Sequence, residues 1–396
     1  MKVALVSPYD YAYPGGVTNH ISHLQRSLIQ MGHQVKIIAP CSRRVAGLGE
    51  QVIPLGRPIP WPSAGSVARM TFSLTLSPRV KQILRMENFD VVHIHEPLIP
   101  TLPLTVLRLA PPIRVGTFHA YHSKPRGYFW SKYLLKRWCM RLDGRIAVSP
   151  SAMRFVSRHF PGEYEIIPNG IDVDLFSPAV APIERWCDGK LNILFVGRLE
   201  KRKGVRYLLD AYSEVKRRLP GTRLILVGPG TWLRKGYEKT VLKENLEDVV
   251  FAGQVSLQDL PRYYRTADVV CAPATGHESF GIVLLEAMAT GKPIVASNID
   301  GFADLLTHGA EGLLVPPRDS GALAEALLHV LENRVLQQEM GARGRLKAEQ
   351  YSWNKVAQRV VDYYSSLLNG SVEAGCSAGQ GKGAGGSQNC RETDWT

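Results

Sequence analysis

No stretch of this 396-residue chain holds the ~20 consecutive apolar residues that a helix needs to cross a bilayer. Cysteine is sparse: six residues, at 41, 139, 187, 271, 376 and 390, with no C-x-x-C pair. That argues against a disulfide frame or a zinc site and for reduced thiols in the cytoplasm. The opening Met1-Lys2-Val3-Ala4-Leu5-Val6-Ser7-Pro8 is too short for a signal-peptide core and reads as a buried first strand. The first strand-to-helix turn, Tyr13-Pro14-Gly15-Gly16-Val17, lacks the fingerprint G-x-G-x-x-G, which weakens a dinucleotide reading. Acid is scarce in one half. Residues 1–180 carry 21 Lys and Arg against 10 Asp and Glu, whereas the remainder carries 27 against 25. A basic half points to an anionic partner: acidic lipid, nucleic acid or a phosphorylated substrate.

What is present is a repeated strand–turn–helix pattern. Val3–Ser7 reads as a parallel-type strand, followed by Tyr13-Pro14-Gly15-Gly16-Val17. A helix follows, with Val17, Ile21, Leu24, Leu28 and Met31 on one face, and Val35–Ala39 is the next strand. Gly15 and Gly16 would let a phosphate or a sugar approach the helix start. A second such unit opens with the strand Leu191–Val196, then Gly197-Arg198-Leu199-Glu200-Lys201-Arg202-Lys203-Gly204. The fold class expected is α/β: two Rossmann-like doubly wound domains with a cleft between them. The expected boundaries are 1–172, 173–352, a C-terminal helix over 353–369 that could return to the first domain, and a disordered tail over 370–396. The junction is placed at Ile166-Ile167-Pro168-Asn169-Gly170-Ile171-Asp172-Val173-Asp174, which has turn chemistry.

The chain is organised around His277-Glu278-Ser279-Phe280-Gly281-Ile282-Val283-Leu284-Leu285-Glu286. A strand, Asp268–Pro273, precedes it, and an apolar helix follows. Ser279 is the expected N-cap, with Glu278 at the helix mouth and Glu286 inside. Eight residues are two turns plus about 80°, so the two carboxylates roughly share a face. The N–H groups of Phe280 and Gly281 would be open to a phosphate. Glu278 is then aimed at hydroxyl groups.

Other candidates are weighed against plainer roles. His93 and His95 alternate onto one strand face; packing and hydrogen bonding are favoured there over a metal pair, because no third ligand is evident. His119 closes the strand Val115–His119 at its carboxyl end, where ligands of open α/β sheets gather. Residues 54–70 are rich in proline and read as an exposed loop. Within it, Arg69 could hold a phosphate with both nitrogens. Asp172-x-Asp174 sits at a turn far from other carboxylates, so a metal role is set aside. Residues 121–145 hold seven basic residues and six aromatics with one acid, which suits a membrane surface. The same pattern fits a half-buried helix with solvated cations. No nucleic-acid motif accompanies it.

Glu278 and Glu286, with this filling, resemble the E-x7-E motif of the retaining glycosyltransferases of family 4, and the two-domain pattern resembles the GT-B fold. Within that family the chain most resembles the phosphatidylinositol mannosyltransferases of actinobacteria. The carrying segments are Pro14-Gly15-Gly16-Val17, Gly65-Ser66-Val67-Ala68-Arg69, His93-Ile94-His95-Glu96-Pro97, Thr117-Phe118-His119 and Gly276 to Val283. The chain departs from that pattern at Trp61-Pro62-Ser63-Ala64, where the subfamily has Tyr-Asn, and at Leu98, where a polar residue is usual.

The resemblance implies a donor site of Gly15, Gly16, Arg198, Lys203, Glu278, Ser279, Phe280, Gly281, Ile282 and Glu286. The cations would neutralise the diphosphate, Glu278 would hold the sugar and Glu286 the ribose. It implies an acceptor site of Ser66, Arg69, His119 and Lys124, with His119 also orienting the sugar. The catalytic set is then His119, Glu278, Arg198 and Lys203. No cofactor and no metal are expected; the nucleoside-diphosphate sugar, GDP-mannose, is a substrate. The acceptor expected is an anionic membrane lipid of the phosphatidylinositol type, with the enzyme peripheral on the inner face of the cell membrane and no nucleic-acid partner. Three alternatives stand beside this. One is a family 4 enzyme using a UDP-sugar and a soluble or cell-wall acceptor. Another is a nicotinamide-dependent oxidoreductase, which lacks the acidic residue expected after the second strand, at Ala39-Pro40-Cys41. The third is a non-catalytic anion-binding or membrane-surface protein.

Overall fold

The computed structural model of the protein describes residues 1–13, 15–42, 51–63, 66–111, 113–119 and 135–380. Lys124 and most of the basic, aromatic stretch at 121–145 lie outside these residues. The strands of the first lobe are β1 (Lys2–Val6), β2 (Gln34–Ala39), β3 (Val52–Pro54), β4 (Pro58–Ser63), β5 (Ser66–Thr71), β6 (Val91–His95), β7 (Arg114–Phe118), β8 (Gly144–Ala147) and β9 (Glu165–Ile166). Those of the second are β10 (Leu191–Val196), β11 (Thr222–Val227), β12 (Val249–Gly253), β13 (Val269–Ala272), β14 (Ile294–Ser297) and β15 (Gly312–Val315).

The apolar runs form two parallel sheets buried on both faces, as such runs must when helices cross over them. The first has the order β3-β2-β1-β6-β7-β8-β9 and the second β12-β11-β10-β13-β14-β15. Strand order reverses between β1 and β6 in one sheet and between β10 and β13 in the other. Loops leaving the carboxyl ends of two such strands diverge and open a crevice. The turns after β1 and β10 and the loop after β13 therefore sit at the two crevices.

Each sheet face has its own core. Val3, Leu5 and Val115 pack under the Gly16–Gln30 helix, and Ala4, Val92 and Ile94 under the helices Ser77–Glu87 and Leu102–Leu109. In the second lobe Ile193, Leu224 and Leu226 meet Leu208, Tyr212 and Leu327, while Leu194, Ile225 and Val270 meet Tyr264, Leu284 and Met288. Burying one such aliphatic side chain contributes ~1.5–3 kcal/mol.

The chain crosses between lobes twice, and the crossings lie side by side. Ile171 forms a parallel bridge with Ser352, the Ile171 N–H donates to the Tyr351 carbonyl at 2.8 Å, and the Trp353 N–H donates to the Ile171 carbonyl at 3.2 Å. The last helix then returns to the first lobe. Trp353, Val356, Val360 and Tyr364, three or four residues apart, form one buried stripe packed with Val3, Leu5 and Ile21.

Two expectations are corrected. Residues 54–70 are not a loop throughout: β4 and β5 form an antiparallel ribbon, with Pro60 opposite Arg69 and Pro62 opposite Val67. Pro58, Pro60 and Pro62 are spaced by two, so their missing N–H groups fall on one edge and the partner-facing amides survive. The last helix does not stop at residue 369 but runs Trp353–Gln380. A helix already nucleated by packing extends by one hydrogen bond per added residue. Residues 381–396 lie outside the described set.

Candidate active site

In the second lobe the turn after β10 and the loop after β13 meet at the strand-order reversal. Lys203 Nζ lies 2.8 Å from Glu278 Oε1, and Arg202 donates to the same oxygen at 2.5 Å. Arg202 Nε also donates to Glu200 Oε2 at 2.9 Å, and Arg198 Nε lies 3.1 Å from Glu200 Oε1. Within the charge run of residues 198–203, Arg198, Arg202 and Lys203 are thus gathered on two carboxylates, whereas Lys201 is exposed. Arg198, Lys203 and Glu278, picked from sequence, are joined by two residues that sequence reasoning did not single out, Glu200 and Arg202. Their signal was their place in that run.

The Glu278 loop is held in an unusual backbone. His277 has φ 64°, in the left-handed region that non-glycine residues seldom adopt. Gly301 packs against it so closely that a Cβ there would lie 1.9 Å from the Glu278 carbonyl oxygen. Thr275, His277, Glu278, Asn298, Asp300 and Gly301 are among the residues around a cleft of ≈ 290 Å³.

The helix begins later than expected. It spans Ile282–Ala289, and its N-cap is Gly281, with φ 91°, not Ser279. Ser279 instead offers its carbonyl to the Ser149 hydroxyl of the first lobe. Glycine reaches the left-handed region without a steric penalty, and that conformation turns the chain into the helix. Among the described residues no protein group accepts from the N–H groups of Phe280, Gly281 or Ile282. They form a positive mouth suited to an anion. The Phe280 ring itself is buried in the core.

Glu286, half-buried in this helix, accepts from the Tyr264 hydroxyl at 2.6 Å. Burial pushes its carboxyl up to about 7, opposed by the Tyr264 hydrogen bond and the Lys203 charge. Lys203 therefore acts on both carboxylates of the E-x7-E motif.

In the first lobe Gly15 is the N-cap of the Gly16–Gln30 helix, and both glycines are exposed. The ribbon β4–β5 is tied to the loop after β1: Asp10 N–H donates to the Arg69 carbonyl at 2.9 Å, and Tyr9 bridges Met70. The Arg69 guanidinium lies 4.0 Å from the centre of the Tyr13 ring. Arg69 and the Gly15–Gly16 turn are thereby brought to one corner. The backbone of Ser66 is paired in the ribbon; Lys124 is outside the described residues.

His119 is positioned from two sides. Its backbone N–H donates to Glu96 Oε1 at 2.7 Å, and its Nε2 lies 2.9 Å from His95 Nδ1. Burial, then neighbouring imidazoles, hold His119 well below the usual histidine range, so it is neutral at pH 7. His93 is satisfied on both nitrogens, by Tyr364 Oη at 2.5 Å and Thr117 Oγ1 at 2.6 Å. That is the hydrogen-bonding role expected for it. His20, which sequence reasoning passed over, completes a group with His95 and His119 whose ring nitrogens lie within 4.8 Å of one another. This is a possible metal triad by distance. However, His95 and His119 bond each other, and His20 Nδ1 is held by Asn169 Oδ1 at 2.9 Å, so hydrogen bonding accounts for the geometry. Asp172 Oδ1 accepts from the N–H groups of Asp174 and Leu175, a turn role.

The lobes touch beside Glu278. The Ser151 N–H donates to Asp304 Oδ2 at 2.7 Å, and Arg154 donates to Asp304 Oδ1 at 3.2 Å. Asp304 thus sits at the N-terminal turn of the Pro150–Ser157 helix, where a carboxylate is favoured. Of the 121–145 stretch, the part described places Trp138 within 5.4–5.5 Å of the guanidinium groups of Arg108, Arg137 and Arg141.

Residues 14–175 match Glycosyltransferase Family 4, and residues 180–347 match Glycosyl transferases group 1. A phosphatidyl-myo-inositol mannosyltransferase of Mycobacterium leprae is 40% identical over 93% of this chain and 97% of its own. The protein of that name from Propionibacterium freudenreichii is 36% identical over 92% and 95%. Among solved structures, a sucrose-phosphate synthase from Thermosynechococcus elongatus has a TM-score of 0.75 at 23% identity, covering 93% of this chain and 99% of that one. HepE of Anabaena, in complex with UDP and glucose, has a TM-score of 0.74 at 22% identity, covering 92% and 100%. These two likenesses concern the fold, GT-B. With its paired glutamates beside a cationic turn in one lobe and a glycine turn in the other, the chain belongs to the group 1, family 4 glycosyltransferases.

Proposed function

We propose that this enzyme transfers mannose from GDP-mannose to a phosphatidylinositol-type lipid at an anionic membrane surface, with retention and without a metal. The observation that carries the reading is the cation cluster on Glu278, in a chain that matches phosphatidyl-myo-inositol mannosyltransferases over nearly their whole length.

The departing diphosphate lies against Arg198, Arg202, Lys203 and the N–H groups at the helix mouth. Donors fixed in advance at developing charge lower a barrier by ~3 kcal/mol each. When the diphosphate takes the cations, Glu278 is freed toward sugar hydroxyls. Glu286 accepts from the ribose. Gly15 and Gly16 leave room for the phosphates on the opposite side. His119, being neutral, exchanges a hydrogen bond with the sugar without adding charge. Arg69, with Ser66 and Lys124, receives the acceptor phosphate. The acceptor hydroxyl attacks from the face that the diphosphate leaves, which retains configuration. Among the described residues no helix is long and apolar enough to cross a membrane, and the basic first lobe gives a peripheral attachment to the inner leaflet.

The test is a donor screen with radiolabelled sugar nucleotides, with and without phosphatidylinositol vesicles, in EDTA. Transfer from GDP-mannose only when vesicles are present is the expected result. Transfer to a water-soluble acceptor alone, or abolition by EDTA, would overturn the respective part.

A further inference from the structure

The mechanism above uses His119 but leaves unused the buried group behind it. His20 and Asn169 are each 6% exposed, and His95 is fully buried. The His20 ring stands edge-on to His119 at 4.9 Å and to His95 at 5.2 Å. It also meets the Trp353 indole edge-on at 5.1 Å. His20 Nδ1 lies 2.9 Å from Asn169 Oδ1. Asn169 belongs to the first crossing between the lobes and Trp353 to the second. The crossings are bonded to each other through Ile171. A single imidazole therefore touches both crossings on one side and the sugar-facing histidine on the other. The amide oxygen of Asn169 can only accept, so it fixes the proton on His20 Nδ1 and leaves Nε2 a bare acceptor.

We infer that His20, locked in one tautomer by Asn169, is a positioning residue that passes the setting of the interdomain crossings to His119. Rotation at the crossings moves Asn169 and Trp353, and His20 must follow because it has no room to do otherwise. His119 then reaches its working orientation only with the crossings in this arrangement. The inference rests on the reading of His119 as the sugar-orienting group.

The groups facing His20 are His23 on its own helix, His93, His95 and His119 along and at the ends of the strands, Asn169, and Trp353. Beyond them, Arg26 and Asp172 act on His23, and Glu96 holds the His119 backbone. Among the described residues no carboxylate touches His20, so Asn169→Asp places one there with little change of shape. The new acid favours the imidazolium and sets a positive charge beside His119.

The experiment measures kcat and donor KM from pH 5.5 to 9 for the wild type, Asn169→Asp, Asn169→Ala and His119→Ala, with histidine ring NMR on each. Asn169→Ala should lower kcat by about 10- to 100-fold, the scale of an ångström-sized misplacement, with donor KM within about twofold. Asn169→Asp should add a step in kcat that climbs with pH as His20 loses its proton, and should shift the His119 ring resonance as well as that of His20. A merely structural role moves the melting temperature and leaves the pH profile alone. Wild-type kcat in Asn169→Ala, or an unaltered profile and His119 resonance in Asn169→Asp, would overturn the inference; Asn169→Asp decides if the alanine variant does not fold. Full activity in His119→Ala would instead overturn the reading of His119 and leave the NMR result to judge the linkage.

Discussion

Gly16→Ala separates a glycine kept for a ligand from one kept for the fold. Gly16 is exposed, opens its helix, and a Cβ built there meets nothing within 4 Å. Alanine is a better helix residue than glycine by up to ~1 kcal/mol, so the ligand-free variant should be as stable as the wild type or slightly more so. A gain of that size raises the melting temperature by roughly 2–4 °C in a domain of this scale. On the proposed reading a bound diphosphate changes the outcome, because the added methyl would occupy its path. Overpacking costs ~1–3 kcal/mol, which is about 5- to 150-fold in affinity at 1.4 kcal/mol per tenfold. Thermal melts and calorimetric titration with GDP measure the two effects on one sample. A melting temperature that is unchanged or up to about 4 °C higher, together with weakened GDP binding, is expected. Wild-type GDP affinity would show that nothing approaches Gly16, and the diphosphate would have to be placed elsewhere.

Gly301→Ala should do the reverse: its Cβ would lie 1.9 Å from the Glu278 carbonyl oxygen, backbone against side chain. The Glu278 loop must move by about an ångström, which costs on the order of 10²-fold in kcat; a wild-type rate would mean that the loop position is unimportant. Glu278→Ala should fold and bind GDP yet lose at least 10²-fold in transfer, a loss of the size seen on removing one preorganised group; an active variant would end the assignment. Glu286 is raised from 4.5 to about 7 in the folded state, chiefly by burial. The folded protein therefore holds the extra proton, and this contribution to stability is full below about pH 4.5 and is lost as pH rises through 7. Glu286→Gln should flatten the stability profile over that window, as urea melts at several pH values would show; parallel profiles would contradict it. Asp304→Ala removes the acceptor of Ser151 and Arg154. Small-angle scattering should then report a wider mean separation of the lobes, and an unchanged curve would deny Asp304 that role.

The parts of the candidate site that the sequence displays are local. The Gly15–Gly16 turn, the run from Arg198 to Gly204 and the pair Glu278 and Glu286 each lie at a strand-to-helix junction, and their spacing is fixed by a few backbone turns. The helix start was misplaced because Gly281 takes its left-handed conformation in a loop pinned by Gly301 and Ser149, which are remote in sequence. Residues 54–70 read as a loop in the sequence because their prolines lower strand propensity, although the spacing of Pro58, Pro60 and Pro62 spares the paired edge.

The amino-acid sequence by itself determined the two α/β lobes, the order of their strands along the chain and the charges at each turn, because hydrophobic period and turn chemistry act over neighbouring residues. Only the tertiary structure decided which charges meet. Strand order placed Lys203 on Glu278, across a gap of 75 residues in the chain. The parallel register of β6 and β7, with the first helix laid over them, gathered His20, His95 and His119. Those contacts follow from packing of the sheets as wholes, and no short segment carries that information.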